Sequence, residues 1–309
     1  MEEPLVETVP NFSEGEDWEV IEHLVNAFKT TQDVAYLDLH LDEDHNRSVI
    51  TAAGPASSVR EALTKAVKEA VDRIDLSDHE GTHPFMGAAD VIPLIPLEDA
   101  TMEEATHQSE VLAERISEEF NLPTFLYANA ARRDHTEKLA NLRRHSLEEF
   151  DDKMRACDEW KPDFGPDRCH PTAGATAVGS RGFLIAMNVD ILTEDVENAK
   201  DIARQIRESS GGLPGIQALG MELEEQGRIT VSTNITDYEK TSPHELVQAI
   251  HEEARERDIK PGPTELVGLM PEAALNMGDP DQLNIPRFDP ERHVFEQRFQ
   301  ARMGDREPV

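Results

Sequence analysis

The sequence predicts an α+β protein in which the element order β-α-β-β-α-β occurs twice. Short segments with alternating apolar and polar residues, typical of strands, are interspersed with longer segments whose apolar residues recur at helical spacing. The 309 residues exceed one ordinary domain and suit two. A stretch rich in proline and glycine, residues 160–182, separates the two halves.

The first copy of this order occupies residues 5–95. A stripe at helical spacing that includes Val59, Leu63 and Val67 marks its longest helix. Turn-forming residues at 42–47 join the two middle strands as a hairpin. The predicted elements are strand 5–9, helix 18–28, strand 37–41, strand 48–53, helix 57–74 and strand 91–95.

Further elements are predicted between the two copies. Thr101 and Glu104 have the spacing of a capping box, which predicts the start of a helix. A short strand at 125–127 and a polar helix at 136–154 follow. Residues 160–182 are predicted to be a loop that acts as a hinge between two lobes.

The second copy occupies residues 183–269. Its predicted elements are strand 183–189, helix 195–207, strand 216–223, strand 229–236, helix 243–255 and strand 265–269. Gly211 and Gly212 are predicted to end the first of these helices. The fold prediction is therefore two ferredoxin-like subdomains, at 1–182 with extra helices and at 183–276, followed by a tail at 277–309.

The chain is strongly acidic. It has 63 Asp and Glu against 30 Lys and Arg, a formal net charge of −33, and its basic residues are 21 Arg and only 9 Lys. Such a surface disfavours nucleic acids and anionic membranes as partners. It suits a cytoplasm at molar salt, where charge repulsion is screened, so we expect a halophilic protein; an acidic mesophilic enzyme is the alternative.

The cysteines and the amino terminus predict a cytoplasmic location. Cys157 and Cys169 are the two cysteines, and they lack the spacing of a thiolate metal cluster or a disulfide framework. The first four residues are acidic and carry no apolar signal region. No apolar run approaches the length of a membrane span.

Residues 79–83 match the pattern H-E-x-x-H, which on a helix would bind zinc through His79 and His83. Gly81 and Pro84 disfavour a helix here, so a loop is expected. In a loop, two histidines suit acid–base chemistry because the imidazole titrates near neutral pH. The alternative is that each only bonds a backbone carbonyl.

The glycines of residues 165–182 match neither of the two nucleotide-binding glycine patterns. A loop that closes over a flat ligand and a plain connector both remain open as interpretations.

Several strings resemble the glutamate formimidoyltransferase family, in the family's order and from about residue 5 to 275. They are VPNFSEG (9–15), DHNRSV (44–49), HEGTHPFMGA (79–88), PDFGP (162–166), GATAVG (174–179), FLIA (183–186), SGGLPG (210–215), VSTNITDY (231–238) and ELVGL (265–269).

This resemblance implies an enzyme of histidine degradation and one-carbon metabolism. It would transfer the formimino group from N-formimino-L-glutamate to N5 of tetrahydrofolate, its acceptor substrate, without a metal. The resemblance places the catalytic histidine at His83, because the family's catalytic residue is the second His of its His-x-Gly-x-His-Pro motif. The family's folate-binding segment corresponds to Gly165, Pro166, Asp167, Arg168, Cys169, His170, Pro171, Thr172, Ala173 and Gly174.

Given that substrate, its carboxylates need cationic or amide partners. The candidates are polar residues in motif loops or at strand ends: Asn11, Asn46, Arg47, His79, Arg181 and Asn188. Their alternative role is to stabilise loops. We further expect a homodimer and a separate cyclodeaminase acting downstream.

Two other functions stay open from the residues alone. One is a zinc-dependent hydrolase using His79 and His83, and the other is a non-catalytic, folate-binding relative.

Overall fold

The structure, a computed structural model, describes residues 3–42, 46–79, 84–223 and 227–304. The chain is a mixed α/β protein with two separate sheets, as the sequence predicts. It divides into two compact units, residues 1–181 and 182–309. Among the described helices, none combines the length and the apolar composition that crossing a membrane requires.

The first unit contains seven strands and five α-helices in its described part. They are β1 (Leu5–Thr8), β2 (Asn11–Phe12), α1 (Trp18–Lys29), β3 (Ala35–Asp42), β4 (Arg47–Pro55), α2 (Ala56–Arg73), β5 (Ala89–Pro96), α3 (Met102–Phe120), β6 (Thr124–Ala128), α4 (Leu139–Arg143), α5 (Leu147–Ala156) and β7 (Thr176–Ser180).

One seven-stranded sheet organises this unit. Strand β4 pairs with β3 on one side and with β1 and β2 on the other, and β1 and β2 pair in turn with β5, all antiparallel. Strand β7 then lies between β5 and β6 and is parallel to both. The apolar stripes of α1, α2 and α3 contribute to the main core of this unit. The predicted capping box of α3 is confirmed.

Strand β7 corrects the prediction that residues 160–182 are entirely loop. Its five residues are all buried, and a parallel strand covered on both faces needs no polar alternation. Gly179 makes this segment resemble a loop in the sequence, but it is a glycine for a packing reason. A Cβ at residue 179 would lie 2.2 Å from the carbonyl oxygen of Tyr127.

The predicted single helix at 136–154 is also wrong. The chain forms a 3₁₀ turn at Asp134–Thr136, then α4, and then the separate helix α5. Ser146 begins α5 with a capping box to Glu149, because the Ser146 Oγ accepts from the Glu149 amide and the Glu149 carboxylate accepts from the Ser146 amide. A residue that caps a new helix cannot continue an old one.

The second unit contains four strands and five α-helices in its described part. They are β8 (Ile185–Leu192), α6 (Val196–Ile206), β9 (Ile216–Leu223), β10 (Arg228–Ile235), α7 (Pro243–Glu256), β11 (Lys260–Val267), α8 (Glu272–Leu275), α9 (Pro290–His293) and α10 (Phe295–Gly304). The sheet order is β11-β8-β10-β9, with every pair antiparallel.

Two boundaries in this unit differ from the prediction. Helix α6 ends at Ile206, and Gly211 instead ends a short 3₁₀ turn, Glu208–Ser210, in the left-handed conformation with φ +89°. Strand β11 begins five residues early despite Pro261 and Pro263, because it is an edge strand with a bulge, where a residue without an N–H is tolerated. Between the predicted strands 216–223 and 229–236, residues 224–226 lie outside the described residues.

The segment predicted as a tail carries buried apolar residues. Leu283 and Val294 are fully buried and Phe295 nearly so. Leu283 and Val294 belong to the core cluster of the second unit, so burial there stabilises this part of the segment as it does any core position.

Candidate functional site

A small cleft in the first unit brings four of the predicted substrate residues together. The first cleft is a narrow crevice lined by Asn11, Phe12, Ser13, Asn46, Arg47, His79, Phe85 and Asp90. Asn11, Asn46, Arg47 and His79 were candidates from sequence. The other four lining residues were missed, although all lie beside or within the motif strings.

Strand pairing brings Asn11 near Arg47, because Asn11 lies opposite Val49, two residues along the same strand. Asn11 begins β2, which is hydrogen-bonded between β4 and β5, and Arg47 begins β4. The Arg47 Nη1 donates to the Asn11 Oδ1 at 3.5 Å, and the Arg47 Nη2 lies 3.8 Å from a carboxylate oxygen of Asp42. Burial lowers the pKa of Arg47, and the carboxylate of Asp42 opposes that shift.

The side-chain oxygen of Asn46 takes part in a hydrogen bond between two loops. The residue has a left-handed backbone with φ +45°, and its Oδ1 accepts from the Gly15 amide at 2.8 Å. Asparagine is among the residues that tolerate this conformation best. The bond holds the loop before β4 against the loop after β2.

His79 faces the cleft in a partly apolar setting. Its ring packs edge-on against Phe85, with centroids 4.7 Å apart. Burial lowers the pKa of His79, and the carboxylates of Glu14, Glu16 and Asp90 partly oppose the shift. The imidazole is therefore neutral at pH 7 and can accept or donate a hydrogen bond through either ring nitrogen.

The predicted catalytic residue, His83, lies outside the described residues, together with Glu80, Gly81 and Thr82. The described chain resumes at Pro84, and the Met86 amide donates to the Asp90 Oδ1 at 2.8 Å. The role of His83 remains a prediction from the motif.

Arg181 belongs to a polar group that the sequence did not indicate. Burial raises the pKa of the Tyr127 hydroxyl, and the positive charge of Arg181 opposes that rise. The charges of Arg143 and Asp90 act on the same tyrosine, and Asp90 forms an ion pair with Arg143. Neither α4, which carries Arg143, nor β6, which carries Tyr127, contains a motif that could have revealed them.

Asn188 lies in the second unit, on β8. Its Nδ2 donates to the Glu265 carboxylate at 3.4 Å. Arg228 bridges Glu265 and Asp190, at 3.1 Å and 3.0 Å. Asn188 is thus part of a polar network on the sheet of that unit.

A larger cleft in the first unit is lined in part by the predicted folate segment, residues 165–174, of which five residues contribute. The second cleft has a volume of about 690 Å³ and is lined by Asn121, Leu147, Glu148, Asp151, Arg155, Pro166, Arg168, Cys169, His170 and Pro171. Helix α5 forms its other wall, a contribution that was not predicted from the sequence.

The carboxyl-terminal part of the folate segment is a closed turn. His170 and Gly174 exchange two backbone hydrogen bonds, of 2.8 and 3.0 Å. The His170 Nδ1 also accepts from the Ala173 amide at 3.1 Å. The Ala173 amide can donate only to an unprotonated Nδ1, so this bond favours the neutral imidazole. Burial favours the same neutral form, because it lowers the pKa of His170.

Cys169 is not a nucleophile in this setting. Its amide donates to an Asp151 carboxylate oxygen at 2.6 Å. Burial, with a further contribution from the Asp151 charge, raises the pKa of the Cys169 thiol to about 12. The thiol is protonated at neutral pH, and the thiolate is the reactive form.

Backbone hydrogen bonds join the folate segment to the chain that follows the histidine motif, residues 79–84. The Ala88 amide donates to the Ala173 carbonyl at 3.0 Å, and the Ala175 amide donates to the Met86 carbonyl at 2.8 Å. Ahead of the motif, the Leu76 amide donates to the Thr172 carbonyl at 2.8 Å. Chain on both sides of the motif is thus anchored to the same turn.

Comparison with known proteins shows the family to which this chain belongs. Residues 5–181 match the N-terminal subdomain of the formiminotransferase domain, and residues 186–279 match the formiminotransferase domain. The chain belongs to the formiminotransferase family. Within this family, a glutamate formimidoyltransferase of Streptococcus pyogenes serotype M1 is 39% identical over 94% of the chain and 97% of its own length.

Other members of the formiminotransferase family differ in length. A glutamate formimidoyltransferase of Thermoplasma acidophilum is 38% identical over 96% of the chain and 97% of its own length. The formimidoyltransferase-cyclodeaminase of Mus musculus is 39% identical over 88% of the chain but only 51% of its own length. The chain therefore matches about half of the mouse protein.

The alternatives kept open from the sequence gain nothing from these findings. The comparisons support neither a zinc-dependent hydrolase nor a non-catalytic folate-binding protein. In the part of the chain that the structure describes, no three His, Cys, Asp or Glu side chains come together as a metal site.

Proposed function

We propose that this protein transfers the formimino group of N-formimino-L-glutamate to N5 of tetrahydrofolate, giving 5-formimidoyltetrahydrofolate and L-glutamate. Two relatives named glutamate formimidoyltransferase match nearly the whole chain. The structural observation that carries the proposal is the set of hydrogen bonds between residues 86–88 and 173–175. They hold the predicted acceptor-binding segment against residues 86–88, which follow the histidine motif in the sequence, and this supports the proposal because a transfer between two bound substrates requires proximity.

The reaction needs one group that both takes and gives a proton. Attack of N5 on the amidine carbon forms a new C–N bond and a tetrahedral adduct, and N5 loses its proton. Collapse breaks the bond between that carbon and the glutamate nitrogen, which leaves as an amine after gaining a proton. A histidine with a near-neutral pKa can serve both steps, and His83 is the residue proposed for them.

The first cleft is proposed to bind the formiminoglutamate carboxylates. Arg47 offers a guanidinium, Asn11 an amide, and the neutral His79 a hydrogen-bond donor. Charge-assisted bonds of this kind are the strong ones in a partly buried site. Arg181 supplies a further cation beside Tyr127, while Asn188 is kept as a candidate from the second unit.

The second cleft is proposed to bind tetrahydrofolate. Its volume of about 690 Å³ lies in the range of small-molecule sites. Leu147, Pro166 and Pro171 offer apolar surface for a flat ring system, and Arg155 and Arg168 offer cations for the folate carboxylates. Individual contacts from residues 165–174 belong to the same proposal.

A turnover assay tests the function. Purified protein is mixed with formiminoglutamate and tetrahydrofolate, and both L-glutamate and formimidoyltetrahydrofolate are measured. We expect turnover that needs both substrates. Binding of tetrahydrofolate without turnover would instead favour a non-catalytic relative, and activity that is lost with a chelator and regained with zinc would favour the hydrolase.

A histidine variant tests the residue. His83→Asn keeps the side-chain volume but cannot exchange a proton at pH 7, so kcat should fall by about 10²-fold or more, while the tetrahydrofolate Kd stays close to that of the wild type. His107→Asn, at an exposed position of α3, is the matched control. Retention of more than about a tenth of wild-type kcat by the His83 variant would refute the acid–base role.

Three broader proposals accompany the function. The two units are proposed to be duplicated ferredoxin-like subdomains, because each contains a β-α-β-β-α-β order whose strands pair antiparallel, with the parallel strands β6 and β7 added in the first unit. The boundaries proposed from sequence are kept at 1–182, 183–276 and 277–309. The protein is proposed to act as a homodimer in the cytoplasm of a halophile, with a separate cyclodeaminase consuming its product.

A further inference from the structure

A buried ion pair stands behind the first cleft. Asp90 is the second residue of β5 and Arg143 is the last residue of α4, and their side chains are 3% and 14% exposed. The Arg143 Nη2 donates to the Asp90 Oδ2. The other carboxylate oxygen, Oδ1, accepts from the Met86 amide at 2.8 Å. One carboxylate therefore connects helix α4 to the chain that follows the histidine motif.

Both charges of this pair act on the first cleft. Asp90 lines the cleft, and its carboxylate favours the protonated forms of Arg47 and His79. The charge of Arg143 acts oppositely and lowers the pKa of Arg47. Asp42, Glu14 and Glu16 add further negative charge near the same two residues. Without Arg143, the field at the cleft would therefore be more negative.

A negative field opposes the proposed donor substrate, which carries two carboxylates. A buried carboxylate that loses its partner keeps its charge at short range, where solvent screens it poorly. We propose that Arg143 is a positioning residue for the donor: it neutralises Asp90, so that the first cleft can accept a dicarboxylate while Asp90 still holds the Met86 amide. This inference rests on the function proposed above.

A pair of substitutions separates this role from a merely structural one. Arg143→Met removes the cation, leaves Asp90 charged and should repel the donor. Asp90→Asn retains an oxygen for the Met86 amide without the charge. The double variant Asp90→Asn/Arg143→Met is neutral at both positions, so donor binding should recover although the ion pair is absent.

The experiment measures KM for formiminoglutamate, KM for tetrahydrofolate and kcat for the wild type and these variants, with thermal melting as a check on folding. Arg143→Met should raise the donor KM roughly tenfold or more and the tetrahydrofolate KM by less than about threefold. The double variant should return the donor KM to within about threefold of the wild type. Arg115→Met, which removes a more exposed cation paired with Glu119 at 2.7 Å, is the matched control and should leave both KM values unchanged.

Two results would overturn the inference: a double variant whose donor KM is no better than that of Arg143→Met, or equal increases in the two KM values. If Arg143→Met does not fold, Arg143→Lys, which keeps the charge, should retain a donor KM near that of the wild type, and a tenfold increase there counts against the inference.

Calorimetry with L-glutamate, the dicarboxylate product, keeps this test separate from the proposed reaction. A wild type without turnover would defeat the proposed function. The same pattern of L-glutamate affinity across the variants, lost in Arg143→Met and recovered in the double variant, would still support the role of Arg143, and unchanged affinity would refute it.

Discussion

Gly174 lies so close to Met86 that a Cβ at residue 174 would come within 2.4 Å of the Met86 carbonyl oxygen. Gly174 also has a left-handed backbone, with φ +66°. The residue thus meets two requirements that only glycine satisfies without strain. Its position matters because it closes the folate segment where that segment joins the chain after the histidine motif.

Gly174→Ala should therefore weaken tetrahydrofolate binding and lower stability together. The added methyl group must displace the backbone at residue 86, so we expect a loss of about 2 kcal/mol or more in the free energy of unfolding and a higher KM for tetrahydrofolate.

Gly211→Ala is the matched control: its φ is +89°, but nothing lies within 4 Å of the new Cβ. It should cost only about 1 kcal/mol, with an unchanged KM. Equal effects of the two variants in chemical denaturation and kinetics would contradict the close-approach argument.

Ligand-dependent protection should be confined to one half of the folate segment. Residues 170–174 are already held by the paired bonds of His170 and Gly174, whereas Asp167 and Arg168 are exposed. Tetrahydrofolate should therefore slow amide exchange mainly at residues 165–168. The protein itself holds these residues with fewer hydrogen bonds, so contacts with the ligand can add most protection there. Hydrogen exchange with and without tetrahydrofolate measures this. Equal protection in both states would remove the support for folate contacts from this segment.

Periodicity predicted most elements of the fold because their stripes are strong. The three helices α1, α2 and α7 and the hairpin strands β3 and β4 all start within two residues of their predicted positions. The two misses have different causes. Strand β7 depends on a tertiary contact, the close packing of Gly179 on Tyr127, which a local pattern does not report. The break before α5 is marked locally by the capping box of Ser146 and Glu149, which the prediction of one helix at 136–154 overlooked.

The candidate site was predictable only where motif strings supply its residues. Asn11, Asn46, Arg47 and His79 converge on the first cleft. Asp90, Tyr127 and Arg143 could not be found, because each is a single polar residue in an ordinary strand or helix and acquires its role from its neighbours across the sheet. The α5 wall of the second cleft was missed for the same reason.

Stability should fall as the solution is acidified from pH 7 to pH 5. Burial is the largest cause of a lowered pKa at six histidines: His79, His135, His145, His170, His244 and His251. A histidine whose folded pKa is depressed binds fewer protons folded than unfolded. Its contribution is complete above the unfolded pKa of about 6.5 and is lost as pH falls through the folded value, with at most about 1.4 kcal/mol per pH unit for each proton.

His251 offers a specific test of that slope. Its Nε2 is buried and has no hydrogen-bond partner among the described residues, and both burial and the nearby Arg255 lower its pKa. His251→Gln should flatten the dependence of unfolding free energy on pH between 5 and 7. The exposed His107→Gln serves as control and should leave the slope unchanged. A slope that is identical in wild type and the His251 variant would show that this imidazole does not contribute.

Stability and substrate binding should both improve as KCl rises from about 0.1 M to about 2 M. The chain has 33 more carboxylates than Lys and Arg side chains, so many acidic groups cannot have a cationic partner, and both proposed substrates are anionic. Salt shortens the Debye length from ~10 Å at 0.1 M to ~3 Å at 1 M, which removes repulsion between distant charges. The partly buried Arg47 is screened much less, so its attraction for a bound carboxylate survives.

Tm should therefore rise and both KM values fall, as measured by thermal melting and initial rates across a KCl series. In an ordinary acidic enzyme, salt would screen the exposed arginines and weaken the binding of anions. A KM that rises with salt while Tm stays constant would therefore show that the acidity is not an adaptation to high salt.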